Sequence, residues 1–170
     1  MGKITVTCPC GCGHTFEADI IDSDYYENLV AQWAGGVVAT SKTQMGYDVS
    51  TNIGGEIITI QVKYSSLTAL NSHGTKGWKY WHSLTKINPD YFVLFGVINY
   101  GYHVFVMSFK TFMGRVAKQG REYHRGMNRY PIILTSSKDS SAWNYHIDNP
   151  EKNLLPKIKA MIADGQFGLL

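Results

Sequence analysis

Three polar residues stand at spacings that could let them act together. Asp48 follows Gly46-Tyr47, and thirteen residues after it comes Gln61-Val62-Lys63. Residues 56–64 alternate like a strand: Ile58, Ile60 and Val62 turn one way, while Thr59, Gln61 and Lys63 turn the other. With an Asp on the strand before it, this polar face gathers oxygen donors of the kind a hard cation takes and an amine that could orient or deprotonate water. The plainer alternative is a cross-strand ion pair between Asp48 and Lys63, with Gln61 satisfying a neighbouring carboxylate.

The elements around these residues must position them. Asp22, Ser23 and Asp24 are N-cap candidates for a helix running to about Trp33, with Tyr26, Leu29, Val30 and Trp33 on one face; Gly35-Gly36 ends it, and Glu27 lies on it. Short and long strands are expected at 47–50 and 56–64, with Gly54 and Gly55 turning the chain between them. A second helix is expected at 78–87, broken by Asn88-Pro89-Asp90 before a buried strand, Tyr91–Ile98. Asn99-Tyr100-Gly101 then returns an antiparallel strand at 102–107. A third helix (109–126), strands at 131–135 and 142–147, and a closing helix (151–163) with Leu154, Leu155, Ile158 and Ile162 inward complete the chain. This order implies one core of α/β or α+β class, a central mixed β-sheet flanked by helices. Residues 1–21 read as a Cys-rich β-hairpin appendage, with strands at 3–7 and 15–21, and residues 22–170 as the main domain.

In the Asp48, Gln61-Val62-Lys63 arrangement, and in Tyr26-Glu27-Asn28-Leu29-Val30-Ala31 followed by Gly35-Gly36, the chain resembles the PD-(D/E)XK nucleases over roughly residues 23–108. Gln61 stands where that superfamily usually has an acid. Mrr-like restriction enzymes and some homing endonucleases share this departure, with a Glu on the preceding helix completing the site; Glu27 holds that position here. The resemblance implies a restriction-endonuclease-like core and a catalytic set of Asp48, Gln61, Lys63 and Glu27. It further implies Mg²⁺, for which Mn²⁺ could substitute, held by Asp48, the Gln61 amide oxygen, the Val62 carbonyl and Glu27. Glu56 is the less favoured second acid, because on a regular strand it points away from Gln61 at about 17 Å. The implied activity is hydrolysis of phosphodiester bonds in double-stranded DNA by a restriction-type endonuclease. A homing endonuclease, a Holliday-junction resolvase, an RNA-processing nuclease and a noncatalytic DNA-binding protein on the same scaffold are the alternatives.

Composition sets the outer limits. The length of 170 residues and 44% hydrophobic content allow one substantial core. A formal charge of +3 permits a nucleic-acid partner without requiring one. No apolar run could span a bilayer, so a cytoplasmic protein without membrane association is expected. The densest basic stretch holds Lys110, Arg115, Lys118, Arg121, Arg125 and Arg129; these, with Lys76, Lys79 and His82, are candidates for DNA contact or an exposed charged face. Cys8, Cys10, Cys12 and His14 offer four possible Zn²⁺ ligands, but their spacing departs from the usual pairs, and a tight turn with free thiols is the preferred reading. Because duplex DNA has two strands to cut, a homodimer or tetramer is expected.

Overall fold

A computed structural model describes residues 3–7, 12–19, 23–40, 46–83, 87–99, 101–119 and 129–165. The N-terminal hairpin pairs β1 (Lys3–Thr7) with β2 (Thr15–Asp19), as expected. Helix α1 (Ser23–Ala34) follows, then β3 (Val37–Val38), β4 (Val49–Ile53) and β5 (Glu56–Ser66). Gly54 and Gly55, with φ of 65° and 92°, make a two-residue loop that fixes the β4–β5 register, Ile53 opposite Glu56 and Val49 opposite Ile60.

The chain continues through β6 (Thr68–Ala69), β7 (Lys76–Ser83), β8 (Tyr91–Ile98) and β9 (Gly101–Ser108) to α2 (Phe109–Gln119). Then come β10 (Arg129–Thr135), a 3₁₀ turn (Ser141–Tyr145), β11 (His146–Ile147) and α3 (Pro150–Ala163). The central six-stranded sheet has the order β11-β9-β8-β5-β4-β3, mixed because β5 and β8 are parallel while the other pairs are antiparallel.

Strand β8 is apolar on both faces because both are covered. Tyr91, Val93 and Phe95 join Ile58, Ile60 and Val62 under α1 and α3, where Tyr26, Val30, Leu154, Ile158 and Met161 close one core. Phe92 and Leu94 face a second core, shared with Trp78, Tyr80, Phe112 and Leu134. That core is covered by α2 and by a small sheet of order β10-β7-β6.

Two expectations are corrected here. Of the helix expected at 78–87, residues 78–83 are strand instead, part of β7 on the crossover from β5 to β8, and residues 84–86 lie outside the described residues. The cause is period two, since Trp78, Tyr80 and His82 are buried while Lys79 and Trp81 are less so, and Trp and Tyr favour a pleated surface. The 142–147 strand shrinks to a 3₁₀ turn and a two-residue bridge. Helix α2 is assigned only to Gln119, and residues 120–126 lie outside the described residues.

Gly96 lets the second core close. A Cβ there would lie 2.6 Å from the Trp78 ring, so only glycine allows the fully buried indole to lie against β8, where its Nε1–H donates to the Val97 carbonyl at 3.2 Å.

Candidate functional site

The β4–β5 hairpin carries the candidate residues. Asp48 and Gln61 are equally distant from the Gly54–Gly55 turn, so an unbroken ladder would set them face to face. The ladder is interrupted there. The Asp48 N–H donates to the carbonyl of Ile60 at 3.0 Å, although Ile60 is already the partner of Val49. Two residues of one strand thus meet one of the other, as in a β-bulge, a device that re-aims a side chain.

The re-aimed carboxylate takes over a strand's role. Beyond Val49, β5 has lost its β4 partner, and the Val62 N–H donates to Asp48 Oδ2 at 2.8 Å instead. The same oxygen accepts a hydrogen bond from Gln61 Nε2. Asp48 and Gln61 are both 7% exposed, so these bonds form away from bulk water, where polar groups need their partners. Within a strand residue the N–H and C=O point the same way, so the Val62 carbonyl is directed toward this open edge as well.

Gln61 and Lys63 project from the face opposite α1, because Ile58, Ile60 and Val62 occupy the α1 face. Glu27 is buried at 4% exposure on α1. The structure therefore brings Asp48 and Gln61 into contact, sets Lys63 on Gln61's face, and places Glu27 on the helix covering the other face. Asp90 anchors the neighbouring strand: its carboxylate accepts from both the N–H and the hydroxyl of Thr59 at 2.8 Å, tying the start of β8 to β5.

His82 belongs to this region more closely than its place among weak phosphate contacts suggested. It is 4% exposed on β7, packed against Phe92 and Phe112. Burial first, and then the Lys63 charge, push its imidazole down to about 4, so it is neutral at pH 7. The sequence signal was the Trp78, Tyr80, His82 alternation.

The expected DNA contacts are dispersed. Arg115 is partly buried; its guanidinium donates to the Ile133 carbonyl at 3.4 Å and lies 5.4 Å from the Tyr145 ring centroid, which makes it a brace between α2 and β10. Lys79 lies over Trp81 at 4.7 Å, and Lys76 and Lys110 are exposed. The side chains of Lys118 and Arg129, and all of Arg121 and Arg125, lie outside the described residues.

Oxygen donors meeting at a strand edge suit a hard cation that keeps several waters and binds one or two carboxylates. Among the described residues no group of three or more His, Cys, Asp or Glu is gathered for a metal. Cys12 and His14 are exposed, and Cys8 and Cys10 lie outside the described residues. No helix among the described residues is long and apolar enough to cross a membrane.

No protein-family model and no curated protein matches the chain. Among solved structures it is similar to that of a bacterial homing endonuclease, I-Ssp6803I, at 14% identity and a TM-score of 0.47, over 84% of this chain and 94% of that one. Likeness at this level bears on neither activity nor partner.

Proposed function

We propose that the protein is a Mg²⁺-dependent endonuclease that hydrolyses phosphodiester bonds in double-stranded DNA, as a restriction-type enzyme of the PD-(D/E)XK kind. The observation that supports this best is the Asp48 carboxylate turned out of the β4–β5 ladder onto Val62 N–H and Gln61, beside the face that carries Lys63.

Asp48 and Gln61 would hold the cation, together with the Val62 carbonyl. Gln61 presents Nε2 to Asp48, so its amide would turn about to offer Oε1 as a ligand. Glu27, buried on α1, would join the cation directly or through a water. When bound, the metal supplies charge neutralisation at the phosphate and an acidified water. Lys63 orients the attacking water and balances charge on the phosphorane-like transition state.

The test is digestion of a large mixed DNA by purified protein with Mg²⁺ or Mn²⁺, followed by sequencing of the ends. Recurrent ends at one sequence support the proposal. Binding to DNA with no cleavage under either metal replaces it with the noncatalytic reading. Cleavage confined to structured RNA replaces the substrate.

A further inference from the structure

His82 is buried beside the proposed centre, yet the chemistry above makes no use of it. Its ring stands edge-on to Phe92 and Phe112, with centroids 4.9 and 5.4 Å away and interplanar angles of 85° and 90°. Phe92 is the register neighbour of Gln61 across the β5–β8 pair, so the imidazole lies over the sheet face from which Gln61 and Lys63 project. The backbone agrees, since the Lys79 N–H of β7 donates to the Ser65 hydroxyl of β5 at 3.3 Å. Nε2 of His82 is buried and has no hydrogen-bond partner among the described residues.

A buried nitrogen without a partner requires an explanation, because folded proteins pair nearly all such groups. Packing alone does not supply one: a phenylalanine would fill an aromatic slot without stranding a polar atom. Burial first, and then the Lys63 ammonium, disfavour protonation of the ring and so keep it a lone-pair acceptor.

We propose that His82 is a positioning residue for Lys63, its Nε2 accepting an N–H hydrogen bond from the Lys63 ammonium as that group turns toward the bound phosphate. The proposal rests on the nuclease reading for its consequence in catalysis, but the His82–Lys63 contact on DNA can be tested separately. Phe92 and Phe112 fix the ring plane, and the fixed ring in turn limits the directions open to a long, flexible amine. Orientation of this kind acts on the chemical step more than on substrate binding.

Two measurements separate the outcomes. In cleavage assays with Mg²⁺, His82→Phe is expected to lower kcat about tenfold or more, the scale of a lost hydrogen bond to a charged group, with KM within about twofold. His82→Gln, whose amide oxygen can reach the place of Nε2, should recover part of the loss. Nitrogen-15 NMR of the imidazole is the second readout, using a mixed-sequence DNA duplex without divalent metal as the probe. The acceptor-type Nε2 signal should move on adding the duplex to the wild type and stay still in Lys63→Met. A wild type that cleaves, with His82→Phe equally active or His82→Gln no better than His82→Phe, overturns the proposal. A wild type that never cleaves removes the nuclease reading; the His82–Lys63 contact then stands if the duplex moves Nε2 only when Lys63 is present, and falls if it does not.

Discussion

Gln61 donates its side-chain amide to Asp48 across the point where the β4–β5 ladder breaks, and the Val62 N–H joins it on the same carboxylate oxygen. Asp48 therefore has a structural role as well as the proposed chemical one, and simple truncation confuses the two. Asp48→Ala leaves a buried N–H and a buried amide without their acceptor and should cost about 1–3 kcal/mol of stability. Asp48→Asn keeps an acceptor oxygen while removing the charge. Both should abolish metal-dependent cleavage, but only Asp48→Ala should lower the urea midpoint substantially. A folded Asp48→Asn protein that cleaves at the wild-type rate removes Asp48 from the site.

Lys63 and Gln61 make a sharper pair. Lys63→Ala should lower cleavage by about a hundredfold or more while leaving DNA affinity little changed, because its charge is used in the transition state. Gln61→Glu restores the second acid and should tighten metal binding, read as a lower Mg²⁺ concentration at half-maximal activity. Activity and metal response both indifferent to Gln61→Ala would place Gln61 outside the chemistry.

Acid should weaken the fold through His82. Its imidazole is pushed down to about 4 from an ordinary 6.5, so the unfolded chain takes up the proton more readily and stability falls as pH drops from 6.5 toward 4. The loss attributable to this one group is about 3 kcal/mol, complete only below the folded value. Equilibrium unfolding at pH 7 and pH 4.5 checks it: the wild type should lose markedly more stability between the two than His82→Phe. Equal losses would mean that the ring is not buried as described.

The parts of this arrangement visible in the sequence were those set by local rules. Alternation in Ile58, Ile60 and Val62 placed Gln61 and Lys63 on one face, and the Gly54-Gly55 pair marked the turn. The bulge at Asp48 was not visible, because it depends on where β4 stops pairing with β5, and no residue type encodes that. Strand β7, where a helix is expected, buries Trp78, Tyr80 and His82 at alternate positions, and its packing depends on a residue far away in sequence: Gly96, eighteen residues beyond Trp78, opens the space for the indole. Met161 on α3 is buried where only Leu154, Leu155, Ile158 and Ile162 were expected to face inward.

Gly96→Ala tests that dependence. Its Cβ would meet the Trp78 ring at 2.6 Å, and Trp78 is buried and hydrogen-bonded to β8, so the ring cannot swing aside cheaply. Overpacking of this kind costs about 1–3 kcal/mol, measurable as a lower urea midpoint. Because β7 also carries His82, the variant should lose cleavage beyond what its folded fraction explains. Unchanged stability would show that the two strands are not in the close contact described.

Assembly follows from the count of strands in the proposed substrate. One chain carries one set of Asp48, Gln61 and Lys63, while a duplex presents two antiparallel scissile strands related by a local two-fold axis. Two copies of the chain on the same axis would bring one centre to each strand and would favour a palindromic or pseudo-palindromic site. A tetramer built from two such dimers satisfies the same geometry. Sedimentation of the protein with and without a cleavable duplex should show a dimer or tetramer at least in the complex, and double-strand breaks should accumulate without a long-lived nicked intermediate. A monomer in both conditions, or products that carry single nicks at every enzyme concentration, would mean that one centre acts alone and that the two-fold symmetry of the DNA is not matched by the protein.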